Sequence, residues 1–236
     1  MRKRRRKGKL NPTRKKTVAR PSPAATLEAL KDDYRWKRGE VQSRLNEFQQ
    51  IFKKGDAAIF KELCFCIAAA NSSAEMGMKT VDAIQDIVLE ADLATLQDRL
   101  RHGFRYKRKR PSYIVHTRDY LKKEHDFKLG RLLQSFSDPD ARRDFLVFNR
   151  DIKGIGFKEA SHFLRNIGYR GYAILDKHIL NCLAELGVIR RNRKPLNPRR
   201  YRRIERKMRA FADRIGIDMD ELDLLLWSRK TGKILK

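Results

Sequence analysis

Apolar residues recur at the spacing of an amphipathic helix along most of this 236-residue chain. Ala160, Phe163, Leu164 and Ile167 form one such stripe, which stops at Gly168, a residue that commonly ends helices. Similar stripes are formed by Ile59, Phe60, Leu63 and Ile67, by Val81, Ile84, Ile87 and Val88, by Phe145, Val147 and Phe148, and by Ile179, Leu183 and Leu186. The alternation typical of strands is sparse, so the sequence predicts an all-α protein of about nine to eleven helices.

The chain is strongly basic, with 56 Lys and Arg against 29 Asp and Glu and a net charge of +27. Residues 1–24 contain 11 of the basic residues and no acid, and we expect them to form a disordered basic arm. The arm is either a phosphate-binding tether, a nuclear address or a solubilising tail. We expect one folded domain over residues 25–236, which keeps a charge of +16 (27 − 11). Such an excess favours nucleic acid over a membrane surface as partner.

Several classes of protein are excluded by residues that the chain lacks. No apolar run approaches the about 20 residues that span a bilayer, and the N-terminus has no apolar signal core. We therefore expect a protein of the cytoplasm (associated with the nucleoid) or the nucleus, neither secreted nor in a membrane. Cys64, Cys66 and Cys182 are too few for a disulfide framework or a four-thiolate metal site, and we expect buried thiols and no metal.

Two stretches inside the domain add to the basic character. Residues 101–123 contain nine Lys or Arg among four aromatic residues, and residues 190–209 contain 11 around Tyr201. Basic residues with aromatics among them are typical of phosphate contacts combined with base stacking. A solvated helix face is the alternative for each stretch.

A double-glycine turn between two helical patterns is the first candidate site. In residues 152–160, Gly154 and Gly156 flank Ile155, which we expect to be buried and to hold the turn. We expect both glycines to adopt positive φ and the following helix to present free N–H groups, where its dipole favours an anion. In a basic protein this pattern predicts a helix–hairpin–helix at about residues 152–158, which binds a DNA phosphate.

Lys158 and Asp176 are the candidate catalytic pair, because each lies at the predicted start of a helix near this turn. An amine beside a carboxylate on DNA indicates nucleophilic attack at a sugar carbon. The carboxylate would stabilise the oxocarbenium-like cation and help activate the amine. An isolated aspartate in the position of Asp176 would otherwise be interpreted as a helix cap.

At these residues the chain resembles the helix–hairpin–helix superfamily of DNA glycosylases. More narrowly, it resembles the archaeal-type 8-oxoguanine DNA glycosylase/AP lyase family (the second Ogg family), over roughly residues 30–236. The resemblance is carried by residues 158–166 (KEASHFLRN), 174–180 (ILDKHIL) and 227–236 (WSRKTGKILK). It implies two helical subdomains flanking a DNA-binding and active-site cleft.

The resemblance also implies roles for individual residues. Lys158 would be the Schiff-base nucleophile and Asp176 the essential carboxylate. His178 matches a position that commonly contacts DNA phosphate. Asn71 falls where related enzymes carry a polar wedge that fills the vacated base stack, although Ala-Asn-Ser is also typical of a plain helix end.

The C-terminal residues are implied to form part of the base pocket, with Lys236 near Trp227 and an aromatic residue such as Phe104. 8-Oxoguanine carries a hydrogen on N7, where guanine has a lone pair. A chain-terminal carboxylate at N7 would therefore accept a hydrogen bond from the lesion and repel guanine. The alternative is a solvated tail.

The resulting hypothesis is a bifunctional repair enzyme that excises 8-oxoguanine from duplex DNA and nicks the strand at the abasic site. We expect a monomer without a cofactor, apart from a monovalent cation at the carbonyls of residues 152–156. The alternatives are a non-catalytic basic nucleic-acid-binding protein and a glycosylase of the same fold for another damaged base.

Overall fold

The computed structural model describes residues 23–191 and 196–234, which form eleven α-helices and no strand. The helices are α1 (Pro23–Lys53), α2 (Asp56–Ala69), α3 (Ala74–Ile84), α4 (Leu93–Arg99), α5 (Lys109–His125), α6 (Leu129–Gln134), α7 (Pro139–Phe148), α8 (Phe157–Asn166), α9 (Lys177–Glu185), α10 (Pro198–Ile215) and α11 (Met219–Thr231). The all-α prediction is confirmed for this part of the chain. The predicted arm at residues 1–24 lies outside it, except for the first two residues of α1.

Local signals place most helix ends where the sequence predicts them. Asp138 caps α7 by accepting hydrogen bonds from the backbone N–H groups of Asp140 and Ala141. The stripe of α8 ends at Asn166, just before Gly168, whose φ is 95°. These ends depend on residues within one turn of the helix, so the sequence pattern predicts them.

The predicted helix with the stripe Val81, Ile84, Ile87 and Val88 is wrong at its C-terminal end. The helix α3 stops at Ile84, and residues 85–90 form turns. Val88 is nevertheless buried, so the apolar spacing continues through a segment that is not helical. Arg118 of α5 stabilises the turns by donating to the carbonyls of Val88 at 3.1 Å and Ala91 at 2.6 Å. The turns that follow this helix are thus held by a side chain 27–30 residues away in sequence.

Two hydrophobic cores divide the molecule into two helical subdomains. The first core is built mainly from α2, α5 and α8, and the second from α9, α10, α11 and the beginning of α1. A small third cluster joins Val41, Leu45 and Phe48 of α1 to Leu224 of α11 and to Ile234. The long helix α1 therefore connects the two subdomains. None of the described helices has the length and apolar character needed to cross a bilayer.

All three cysteines are buried among apolar side chains, as predicted. Burial raises the pKa of the Cys182 thiol to about 11 and also raises the pKa of Cys64 and Cys66. Their thiols therefore stay protonated near neutral pH and pack as small hydrophobic groups.

The hairpin between α7 and α8 is held from behind by α5. Ile155 is 8% exposed and fills the turn, as predicted. The hydroxyl of Thr117 accepts a hydrogen bond from the N–H of Lys153 at 3.0 Å. Gly154 has φ 76°, and a Cβ there would lie 2.7 Å from the Tyr113 ring. Only glycine fits this position without strain.

Gly156 corrects the expectation that both glycines adopt positive φ. It is the N-cap residue of α8 with φ −109° and ψ −173°, an extended conformation open to any residue. A Cβ at Gly156 would meet only the Glu159 carboxylate, at 3.2 Å. The left-handed turn of the hairpin is made by Gly154 alone.

We expect Gly154→Ala to destabilise the protein by more than Gly216→Ala, as measured by urea denaturation. Both glycines have positive φ, which costs a β-carbon residue about 1–2 kcal/mol. Gly216 has open space around it, whereas a Cβ at Gly154 would overlap the Tyr113 ring and add about 1–3 kcal/mol. Equal losses for the two variants would contradict the close contact.

Candidate active site

A cavity of about 280 Å³ lies between the two subdomains. One wall comes from the end of α2 and the start of α3, and the opposite wall from residues 174–179 and α11, while α8 contributes Lys158, His162 and Arg165. The polar and aromatic residues that line the cavity are Ser72, Ser73, Glu75, Lys158, His162, Arg165, Asp176, His178, Asp223, Trp227, Thr231 and Lys233. The structure thus brings four of the predicted site residues, Lys158, Asp176, His178 and Trp227, to one cavity.

Lys158 is the second residue of α8, directly after the hairpin. Its side chain is 29% exposed, and its amine lies 3.5 Å from the Glu159 carboxylate. His162 and Arg165 follow on the same face of the helix, one and two turns further on, and also line the cavity. The amine is therefore partly exposed at the cavity, whereas His162 and Arg165 further along this helix face are buried.

Asp176 occupies the N-cap position of α9 and also lines the cavity. One carboxylate oxygen accepts a hydrogen bond from the N–H of Ile179 at 2.8 Å. The capping interpretation and the catalytic interpretation of this residue are therefore compatible. The cap holds the side chain in one orientation while the carboxylate faces the same space as Lys158.

The extended segment that carries Asp176 is held by side chains rather than by a neighbouring strand. Four backbone N–H groups in residues 171–175 donate to side-chain oxygens of α10 and α11. The pairs are Gly171 with Asp220, Ala173 with Glu205 at 2.9 Å, Ile174 with Asp223 at 3.1 Å, and Leu175 with the Tyr201 hydroxyl at 3.1 Å. Each N–H is satisfied without water, which leaves the segment little freedom to move.

Asp223 is a cavity residue that the sequence reasoning missed. It is 2% exposed, accepts the N–H of Ile174 and pairs with the Arg165 guanidinium at 3.2 Å. Burial raises the pKa of the Asp223 carboxyl to about 7, against the opposing effect of Arg165. The signal in the sequence was the acidic residues Asp220, Glu221 and Asp223 at the start of an otherwise apolar helix. Acids on a buried helix face are seldom present without partners.

A second depression, of about 430 Å³, lies beside the cavity and contains the other predicted DNA-contacting residues. It is lined by Asn71, Gly154 and Gly156, together with Arg110 and Tyr113. Asn71 is exposed in the α2–α3 turn, with φ 53°. The turn is fixed by Arg110, which is buried and donates to the carbonyl of Ala70. The predicted wedge and the hairpin therefore share one continuous surface next to Lys158.

The structure does not bring Phe104 to the cavity that Trp227 lines. Phe104 packs against the first core and lines a separate depression, with Lys79 5.2 Å from its ring centroid. The sequence offered no long-range information to place this loop. Lys236 lies outside the described residues. Its neighbours Thr231 and Lys233 line the cavity, and Ile234 is anchored in the third cluster.

The two basic stretches serve two purposes. Within 101–123, Arg110 and Arg118 are buried and donate to backbone carbonyls, while most of the other cations are exposed. Within 190–209, residues 192–195 lie outside the described residues. Arg202 pairs with Asp144 at 2.5 Å. Part of the charge therefore supports the fold, and part is available to a partner.

A helix–hairpin–helix that places a lysine in a cleft opposite a capping aspartate defines the class of helix–hairpin–helix DNA glycosylases. Residues 41–217 match the family model described as Ogg-HhH, 8-oxoguanine DNA glycosylase. The chain belongs to this family.

Relatives agree over most of the chain. The 8-oxoguanine DNA glycosylase/AP lyase of Methanocaldococcus jannaschii is 42% identical over 197 residues, covering 83% of this chain and 91% of that protein. The corresponding protein of Thermotoga maritima is 38% identical over 198 residues, again covering 83% and 91%. The crystal structure of the M. jannaschii 8-oxoguanine glycosylase/lyase with DNA containing 8-oxoguanine has a TM-score of 0.80 and 38% identity, covering 89% of this chain and all of that one.

We expect the stability of the wild-type protein relative to Asp223→Asn to fall as pH rises from about 4 to about 7. Between the ordinary pKa of 3.8 and the folded-state pKa of about 7, the folded protein keeps a proton that the unfolded chain has lost. The variant carries no titrating group at this position. Urea denaturation of both proteins across this pH range should show the difference declining by on the order of 2–4 kcal/mol. A constant or rising difference would contradict the burial of this carboxyl.

Proposed function

We propose that this protein excises 8-oxoguanine from duplex DNA and then cleaves the strand at the resulting abasic site. The observation that carries the proposal is the joint presence of Lys158 and Asp176 on one cavity, in a chain of this family. The volume of the cavity, about 280 Å³, is close to the lower end of the volumes of small-molecule pockets, which is about 300 Å³. A single nucleotide rotated out of the duplex is the ligand that suits such a cavity.

Binding of the duplex is assigned to the surface beside the cavity. The hairpin N–H groups at the start of α8 would bind a backbone phosphate, favoured by the positive end of the helix dipole. Asn71 would enter the space that the rotated nucleotide leaves in the stack. His178 is exposed at the cavity and would contact a phosphate next to the lesion. These contacts would hold the backbone of the damaged strand while its nucleotide occupies the cavity.

Lys158 would act as the nucleophile. Its neutral amine attacks C1′, and the bond between C1′ and the base breaks with the electron pair leaving on the base, which then takes up a proton. Loss of a proton from nitrogen and opening of the sugar ring give an imine between the lysine and C1′. The hairpin suits this step because it holds the partly exposed amine at the cavity.

Asp176 would stabilise the positive charge that develops on the sugar as the base leaves. Its carboxylate is held by the cap of α9 and by the immobilised segment 171–175, so it does not have to reorganise during the reaction. A fixed negative charge in a partly buried site stabilises a cation more strongly than a mobile, solvated one.

Strand cleavage would follow from the imine. Loss of a proton from C2′ breaks the C3′–O3′ bond by β-elimination, and the phosphate leaves with the electron pair. Water then hydrolyses the imine and releases the lysine. The strand is nicked on the 3′ side of the lesion.

The base pocket is assigned to Trp227 and the C-terminal segment. Trp227 lines the cavity one helical turn beyond Asp223, and Thr231 and Lys233 line it as well. Burial of Ile234 keeps this segment on the cavity wall, which supports a place for Lys236 in the pocket. A monovalent cation at the hairpin carbonyls, action as a monomer and location with the DNA of the nucleoid or nucleus stay predictions.

We expect Lys158→Gln to abolish covalent trapping on duplex DNA containing 8-oxoguanine in the presence of borohydride. Borohydride reduces the imine, and the variant has no amine at this position to form one. Base release should fall by at least about 10³-fold, as is typical when a nucleophile is removed. Adduct formation at the wild-type level would contradict the assignment of Lys158.

Asp176→Asn separates the catalytic role of this residue from its capping role. Asparagine caps helices about as well as aspartate, so folding and DNA affinity should persist while turnover falls by about 10²- to 10³-fold. Parallel loss of stability and activity would indicate a purely structural role for Asp176.

Trp227→Leu should weaken base excision without weakening strand cleavage at a preformed abasic site, because an abasic site has no base to stack. Stacking on an aromatic ring contributes about 1–3 kcal/mol, so excision at low substrate concentration should fall by about 5- to 150-fold. Both activities are measured on duplexes of one sequence. An equal loss of the two activities would argue against a base pocket at Trp227.

A further inference from the structure

The exposed side of α10 carries a stripe of cations that the proposed reaction does not use. We call it the α10 stripe, and it consists of Arg199, Arg203, Arg206, Lys207 and Arg214. Their spacing places all five on one helix face. At 1.5 Å per residue the stripe is about 22 Å long. At 3.4 Å per base pair, this length matches about six base pairs of a duplex.

The α10 stripe is set apart from the other cations of the helix by its lack of acidic partners. None of its five members forms an ion pair with a carboxylate among the described residues. Arg202 and Arg209, which lie at its edge, are bound to Asp144 and to the carbonyl of Gly171. Glu205 is buried against Arg143 at 2.7 Å. Three acids lie nearby, because Asp213 is exposed on the same side of α10 and Asp138 and Asp140 line a depression together with Arg199 and Arg206. The five cations outnumber them, so the stripe presents a net positive charge to the surroundings.

The position of α11 shows that the α10 stripe and the cavity face different sides of the molecule. Asp223, Leu224 and Trp227 line the cavity from one face of α11. Leu222, Leu225 and Leu226, on its opposite face, belong to the second core together with the buried face of α10. The stripe lies on the exposed face of α10, opposite the face that packs into the second core. Two helices, each about 10 Å thick, separate it from the cavity.

We propose that the α10 stripe binds a second segment of duplex DNA, distinct from the one whose nucleotide occupies the cavity. A duplex at the cavity and hairpin does not reach the outer face of α10 without leaving that site. With two separate surfaces, the protein holds two segments at once and transfers directly between them. The phosphates of the duplex supply the negative charge that pairs with these cations. Contacts with phosphates do not depend on the base sequence.

This inference rests on the proposed action on DNA and adds a second contact surface to it. Duplex DNA is the favoured partner because the stripe is straight, as long as about two thirds of a helical turn of duplex, and composed mainly of arginine, which suits phosphate oxygens. The face shows no exposed large apolar residue for insertion into a lipid surface.

The test uses the full chain with Arg203→Gln, Arg206→Gln and Lys207→Gln combined. Glutamine has nearly the helix propensity of arginine and lysine, so α10 should persist, as checked by circular dichroism and thermal unfolding. A matched control combines Lys53→Gln, Lys54→Gln and Arg131→Gln. These three cations are exposed on another part of the surface, and their removal lowers the net charge equally.

Each protein is first bound to a labelled, lesion-free short duplex, and its dissociation is followed after mixing with increasing excesses of unlabelled duplex. For the wild-type protein and the control, the dissociation rate should rise with the concentration of unlabelled duplex. For the α10 variant, the rate should become independent of that concentration. The salt dependence of binding a second duplex should lose a slope of about 2.7, which is three contacts at about 0.9 each.

Three outcomes would overturn the inference. The first is a wild-type dissociation rate that does not depend on the concentration of unlabelled duplex, and the second is an α10 variant whose rate depends on it as the wild-type rate does. The third is unchanged transfer in the variant together with lost binding to phosphatidylserine vesicles, which would assign the stripe to a lipid surface. Excision of 8-oxoguanine from a short duplex is measured in parallel and should be unchanged in the variant. Its absence in the wild-type protein would refute the proposed function separately, since transfer is measured on DNA without a lesion.

Discussion

The geometry of the active site depends on side-chain oxygens that accept the backbone hydrogen bonds of residues 171–175. This segment is extended but pairs with no strand among the described residues, so its buried N–H groups need other acceptors. Glu205 and Asp223 supply two of them, and each carboxylate is itself paired with a buried arginine. Without these acceptors the segment that carries Asp176 would have to expose its backbone to water.

The same contacts connect the two members of the catalytic pair. Arg165 lies on α8 two turns after Lys158 and pairs with Asp223. Asp223 in turn accepts the N–H of Ile174, which lies two residues before Asp176. A displacement of α8 would therefore also displace the opposite wall of the cavity. Buried ion pairs contribute little net stability, since desolvation offsets their attraction, but losing one partner is costly. Such pairs are suited to holding one arrangement of groups.

The net charge of +27 is divided between structural and surface roles. Arg110, Arg118, Arg143 and Arg165 are buried and satisfy carbonyls or carboxylates. Some surface cations pair with carboxylates, as Lys230 does with Glu185, and the exposed cations without such a pair are available to phosphates. A composition this basic therefore indicates a polyanionic partner, whereas the residues that touch it are identified only once buried and exposed cations are separated. The α10 stripe belongs to the second group.

Local patterns in the sequence determined the helices, the hairpin with Ile155 at its centre, and the placement of Lys158 and Asp176 at helix starts. Helix periodicity, caps and glycine turns each involve residues that are close together in the sequence, so the sequence alone is enough to detect them. Only the tertiary structure decided where α3 ends, which of the two hairpin glycines has positive φ, that Phe104 lies apart from Trp227, and that Asp223 faces the cavity. Each of these depends on contacts between residues far apart in sequence, such as those of Arg118 with Val88 and Tyr113 with Gly154, and on burial, which no local pattern measures.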